Sequence, residues 1–183
     1  NRFTGSSDEW RSKKKLSGGG ILLDQGIHLL DLLRFFNGDF REYKSFISNK
    51  FWNYNVEDNA FALMRDKKGI IASLHSTATQ WQHTFRIEIT AKYALIELKG
   101  ILSGTKSYGK ESLKVIERIP KSKNGYKIKN QYYFSKDNSW KDEIDEFANI
   151  VQKKLSVKTG NIYDAIKVME MVEKIYRADK KGF

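Results

Sequence analysis

Apolar positions in this 183-residue chain recur at helical spacing near both ends and alternate with polar ones through the middle. From Gly20 to Phe36 the residues Ile21, Leu22, Ile27, Leu29, Leu30, Leu32, Leu33, Phe35 and Phe36 cover most of a helix surface, which predicts a largely buried helix. Asn37-Gly38-Asp39 supplies its stop signal. Residues 41–53 then intersperse Tyr, Phe, Ile and Trp with polar side chains. Asp58–Met64 and Gly69–Thr79 read as two strands joined by the turn Arg65-Asp66-Lys67-Lys68-Gly69. Further strands are expected at Phe85–Thr90, Ala94–Leu98, Leu113–Ile119 and Lys127–Phe134, punctuated by Gly100, Gly104, Gly109 and Gly125.

Helical spacing returns in the last third. Ser139-Trp140-Lys141-Asp142 resembles a capping box with Asp in place of Glu, and Ile144, Phe147, Ala148 and Val151 follow on one face. Thr159-Gly160-Asn161 leads into a final helix carrying Ala165, Val168, Met169, Val172, Ile175 and Tyr176. Short consecutive connections favour antiparallel pairing. The expected fold class is α+β: one domain over residues 1–183, with an open, mostly antiparallel sheet and helices packed on one face.

Composition narrows the chemistry. The chain has no cysteine, which removes disulfides, thiolate zinc sites and cysteine nucleophiles and accords with a cytoplasmic location. No stretch approaches the roughly 20 apolar residues of a membrane span, so no membrane partner is expected. The net charge is +11, yet it is local: residues 1–15 carry five Lys/Arg against two acids, and residues 101–136 carry nine against two. Such a bias suits a nucleic-acid or polyanion surface. Solvated lysines on loops and strands are the favoured reading of it, and nucleic acid is not the expected partner. The sequence begins Asn-Arg-Phe without an initiator Met and is expected to be part of a longer protein.

The densest signal is Gly18-Gly19-Gly20-Ile-Leu-Leu-Asp24-Gln25-Gly26-Ile-His28-Leu-Leu-Asp31. Asp24 and His28, four apart on a helix, share a face, and a carboxylate beside an imidazole handles protons. The structural alternative is an Asp favoured by the helix dipole and a buried, hydrogen-bonded His. Three glycines, costly to order, tilt the reading toward a site. Asp31 is read as structural. Asp24 and His28 lack the further ligands zinc requires, since His75 and His83 lie far along the chain, so no metal is expected. No G-x-S-x-G and no G-x-G-x-x-G after a strand occur.

The order Trp10-Arg11, Gly18-Gly19-Gly20, Asp24-Gln25-Gly26-Ile27-His28, Asp31 resembles the C-terminal domain of the glucose–fructose oxidoreductase / inositol dehydrogenase / rhizopine-catabolism (Gfo/Idh/MocA) family. Val56-Glu57-Asp58-Asn59-Ala60 and Thr159-Gly160 with the helix after it extend the resemblance. It implies that an N-terminal Rossmann domain binding NAD or NADP, with a lysine in a Glu-Lys-Pro motif, belongs with this chain. It further implies a homodimer or homotetramer built through the sheet. Asp24 and His28 take the family's catalytic positions, with His28 as acid/base and Asp24 its partner. Trp10-Arg11 take those beside the cofactor. Gly19, Gly20 and Gln25 are expected to border the substrate, a sugar or sugar derivative, nucleotide sugars included. Without the Rossmann domain and its lysine the piece is expected to be inactive alone. One departure is Ala91-Lys92-Tyr93-Ala94, where relatives often have Gly-x-x-Gly. Competing readings are a basic polyanion-binding module, indifferent to His28 and sensitive to salt, and a non-catalytic assembly domain.

Overall fold

Helices and strands form where the apolar rhythm places them. The computed structural model describes residues 9–103, 105–119, 125–158 and 160–180; the turn residues Gly5-Ser6-Ser7-Asp8, Gly104 and Thr159 lie outside these. The chain forms two compact units, Asn1–Thr79 with Val157–Phe183, and Gln80–Ser156. The fold class is α+β with antiparallel pairing throughout.

In the first unit a 3-10 turn, Trp10–Ser12, leads to the short helix α1, Lys14–Ser17. Gly18, at φ +81°, closes α1 in the left-handed region that glycine enters without penalty. The chain then makes one π-helical turn, Leu22–Gly26, and continues as α2, Ile27–Asn37, so the predicted Gly20–Phe36 helix is interrupted where Asp24 sits. Strands β1 (Phe40–Ser48), β2 (Asn59–Asp66) and β3 (Ile71–Thr77) form a sheet in that order. The β2–β3 turn is fastened by Asp66, whose Oδ1 accepts the N–H groups of Lys68 and Ile70, both at 2.8 Å.

Strict alternation along β2 buries Ala60, Ala62 and Met64 and exposes Phe61, Leu63 and Arg65. The buried face meets Leu30 of α2 and Val168, Met171, Val172 and Ile175 of α4 (Ile162–Ala178). Asn161 caps α4: its Oδ1 accepts from the Tyr163 and Asp164 amides, and Asp164 Oδ2 accepts from the Asn161 amide. A smaller cluster, Ile21, Val56 and Ala78 with Trp52 and Tyr54 against it, includes the residue just before the π-turn.

The second unit holds β4 (Arg86–Thr90), β5 (Ala94–Lys99), β6 (Ser112–Arg118) and β7 (Tyr126–Tyr133), paired in sequence order, and α3 (Ser139–Lys153). The glycine-free link Ala91-Lys92-Tyr93 still closes a tight turn, with the Ala91 amide donating to Ala94 O at 2.8 Å. The basic bias is partly balanced here: Arg86 and Lys99 pair with Glu97, and Lys129 pairs with Glu117.

Two expectations about α3 change. Its Ile144, Phe147 and Val151 are each about 60% exposed (62%, 65% and 59%), so of the two C-terminal helices α4 alone supplies buried core residues. The capping box at Ser139 does not form, because Asp137 Oδ1 engages both the Ser139 amide and hydroxyl, at 3.0 and 2.6 Å. Ser139 thereby lies inside the helix, with Asn138 as the N-cap. Among the described residues no helix is long and apolar enough to cross a membrane.

Candidate active site

The triple glycine is where three parts of the first unit converge. Glu57, two residues before β2 and 1% exposed, sends its carboxylate back to the start of the π-turn. Oε2 accepts the Gly20 amide at 2.9 Å, and Oε1 accepts the Leu22 amide at 3.0 Å and the Tyr176 hydroxyl at 2.7 Å. The Glu57 carbonyl takes the Ile21 amide at 3.0 Å. These amides, freed at a helix start, would otherwise be buried donors without acceptors. Burial and the neighbouring Glu57 carboxylate push the Tyr176 hydroxyl above its ordinary value, so it stays a donor.

The approach is too close for any side chain at Gly20. A Cβ there would stand 2.1 Å from Glu57 O and 2.8 Å from Glu57 N. One at Gly19 would meet the Tyr176 hydroxyl at 2.3 Å. Two glycines thus have packing reasons in addition to any ligand.

Asp24 lies in the π-turn, its amide donating to Gly20 O at 2.9 Å. One carboxylate oxygen accepts Gln25 Nε2 at 3.1 Å, and the other stands 3.6 Å from Arg11 Nε. Arg11 lies over the Trp10 ring, 4.4 Å from its centroid, and donates from Nη1 to Glu9 at 3.2 Å. Its Nε is buried without a hydrogen-bond partner among the described residues. These groups border a cleft of about 190 Å³ lined by Trp10, Arg11, Ser17, Gly19, Leu23 and Asp24.

Of the residues expected at a site, the cleft gathers Trp10, Arg11, Gly19 and Asp24. Gly20 turns to Glu57, and Gln25 reaches the cleft only through its bond to Asp24. His28 is exposed on the first turn of α2, outside the lining, and no hydrogen bond or ion pair joins it to Asp24 among the described residues. Nor do those residues hold three or more His, Asp or Glu grouped to bind a metal. Glu57 and Tyr176 are the contributors that spacing alone did not single out. Their only trace in the sequence was that Val56-Glu57-Asp58-Asn59-Ala60 and the final helix extend the family resemblance.

Comparison with known proteins adds the decisive observation. Residues 1–97 match the model of the GFO/IDH/MocA C-terminal domain. The chain belongs to that family. No curated protein matches at the sequence level. Solved structures of dehydrogenases and oxidoreductases share the fold at low identity. Levoglucosan dehydrogenase in complex with NADH and levoglucosan superposes with a TM-score of 0.78 at 16% identity, covering 99% of this chain and 55% of that one. The aldose–aldose oxidoreductase of Caulobacter crescentus complexed with glycerol gives 0.75 at 20%, covering 98% and 51%. An NAD-binding oxidoreductase of Klebsiella pneumoniae gives 0.71 at 15%, covering 93% and 51%. The chain therefore spans about half the length of these relatives.

Proposed function

We propose that this chain is the substrate-binding part of a nicotinamide-dependent dehydrogenase, or reductase in reverse, acting on a hydroxyl of a sugar or sugar derivative. The observation that carries it is the cleft in a GFO/IDH/MocA C-terminal domain. An aromatic face, a guanidinium whose buried Nε makes no hydrogen bond among the described residues, and a carboxylate converge there from Trp10, Arg11 and Asp24. A polyol offers CH faces to an aromatic ring and hydroxyls to an Arg–Asp pair. NAD or NADP, bound mainly by a Rossmann domain in the longer protein, would accept or donate the hydride. Arg11 Nε, which makes no hydrogen bond among the described residues, and the half-exposed Trp10 ring fit the reacting end of such a cofactor.

His28 serves as acid/base, taking the hydroxyl proton during oxidation, while Asp24 holds charge and geometry at the cleft. Its exposure leaves the imidazole free to meet a substrate bound between this domain and the nucleotide domain. In the full-length protein, NAD(P)-linked oxidation of a panel of aldoses and anhydrosugars tests the reading. His28→Ala is expected to lower kcat about 10²–10⁴-fold. Turnover within a few-fold of wild type would overturn the assignment.

A second copy of the chain is the proposed occupant of the open face of the β1–β3 sheet. Phe46, Phe61, Leu63 and Ile71 are exposed there, with Lys44, Glu42 and Arg65 beside them. An apolar centre flanked by both signs of charge is self-complementary, as a twofold interface requires.

A further inference from the structure

We propose that Glu57, steadied by Tyr176, is a positioning residue that aims Asp24 into the cleft by fixing the π-turn Leu22–Gly26. The consequence for turnover rests on the dehydrogenase reading above; the placement of Asp24 does not.

Three successive amides, Gly20, Ile21 and Leu22, terminate on one residue, two on its carboxylate and one on its carbonyl. Among the described residues no cation accompanies the buried Glu57 side chain, which is met by N–H groups at a helix start and by one hydroxyl. That arrangement sets the rotation of the backbone one residue before the π-turn opens. The far side is pinned too. Ser76 Oγ donates to Ile21 O at 3.1 Å, and a Cβ on Gly26 would come within 3.1 Å of that same hydroxyl. Between these fixtures a π-turn, which takes an extra residue per turn, carries Asp24 to the cleft beside Arg11.

Tyr176 adds a long-range element. Its hydroxyl joins Glu57 across 119 positions of sequence, so α4 is coupled to the turn that bears Asp24. A carboxylate serving only to cap the helix needs no such third donor. Without that donor the carboxylate would rest on the Gly20 and Leu22 amides alone, with its rotamer and the turn it holds less firmly fixed.

The test uses the full chain with its nucleotide-binding domain, as the Glu57→Gln and Tyr176→Phe variants. The side-chain carboxyl ¹³C resonance of Asp24 reports its contacts, with Asp31 and Asp39 as controls on the same helix and its exit. Levoglucosan and D-glucose with NAD⁺ serve as probe substrates. The expected result is a displaced Asp24 resonance with unmoved controls, and a kcat lowered about 10–100-fold at a KM within a few-fold of wild type. An Asp24 resonance unmoved in Tyr176→Phe overturns the proposal, as does a loss confined to KM. Tyr176→Phe removes one donor at constant shape, so it decides the matter even where Glu57→Gln fails to fold. A wild-type chain inert toward both sugars would count against the dehydrogenase reading alone, since the resonance still reports whether Glu57 places Asp24.

Discussion

Single residues carry the site through contacts that sequence spacing does not reveal. The glycine run announced itself, yet its cause lies 37 residues away, where Glu57 meets the Gly20 amide. Asp24 and Arg11 were legible as a carboxylate near a helix start and a Trp-Arg pair. Their meeting over the cleft was not, because it depends on the π-turn. Gly20→Ala sets the sharpest expectation at this scale. The new methyl faces the Glu57 backbone, which cannot swing aside as a side-chain tip could, so about 1–3 kcal/mol of stability should be lost. Chemical denaturation measures it, and an unchanged midpoint would mean that the approach of Glu57 to Gly20 is looser than described. Tyr43 sets a second expectation. Burial pushes its hydroxyl from 10.0 up to about 12. Because the folded value is the higher, this contribution is intact below pH 10 and fades as pH rises toward 12. Tyr43→Phe should therefore flatten alkaline unfolding in that window.

At the scale of elements, pattern served well wherever one face was buried and misled where a nearby polar group intervened. Alternation found β2 because its Ala and Met side chains pack against α2 and α4. The Ser139 box failed since Asp137, two residues earlier, claimed the hydroxyl first, whereas Asn161-x-x-Asp164 formed a complete one. That second box also anchors a contact between helices: Arg34, near the end of α2, donates to Asp164 at 2.6 Å and to Asp39 at 2.8 Å. The hydrogen bond from Arg34 leads the causes that lower the Asp164 carboxyl from its ordinary 3.8. With the folded value depressed, its support is present above the unfolded value and lost as pH falls through the folded one. Wild type should thus weaken below about pH 4, and Asp164→Asn should be less stable at neutral pH with a shallower acid transition. Thermal unfolding across pH 2–7 reads both; parallel curves would exclude the coupling. Asn161→Ala should cost about 1 kcal/mol through loss of the cap.

For the whole molecule, the antiparallel α+β class followed from short links between alternating segments. Its division into sheets of three and four strands did not, since nothing in the composition marks Thr79–Gln80 as a boundary. The exposed face of the first sheet sets the expectation at this scale. Phe61, stacked on His75 at 3.9 Å between centroids, and Phe46 opposite it form the centre of the proposed twofold contact. Phe46→Glu or Phe61→Glu should convert the assembly to monomer in sedimentation, with secondary structure retained; an unchanged mass would remove this face from the interface. The interrupted first unit, built from both ends of the chain, has a further consequence in time. Four members of its core, Val168, Met171, Val172 and Ile175, are synthesised after the whole of the second unit. On the ribosome the second unit therefore emerges whole while the first sheet, and Glu57 just before β2, still wait for α4 and its Tyr176. The turn that shapes the cleft is then completed only after the second unit, and a nascent chain halted after residue 156 would hold its strands without the helix that covers them.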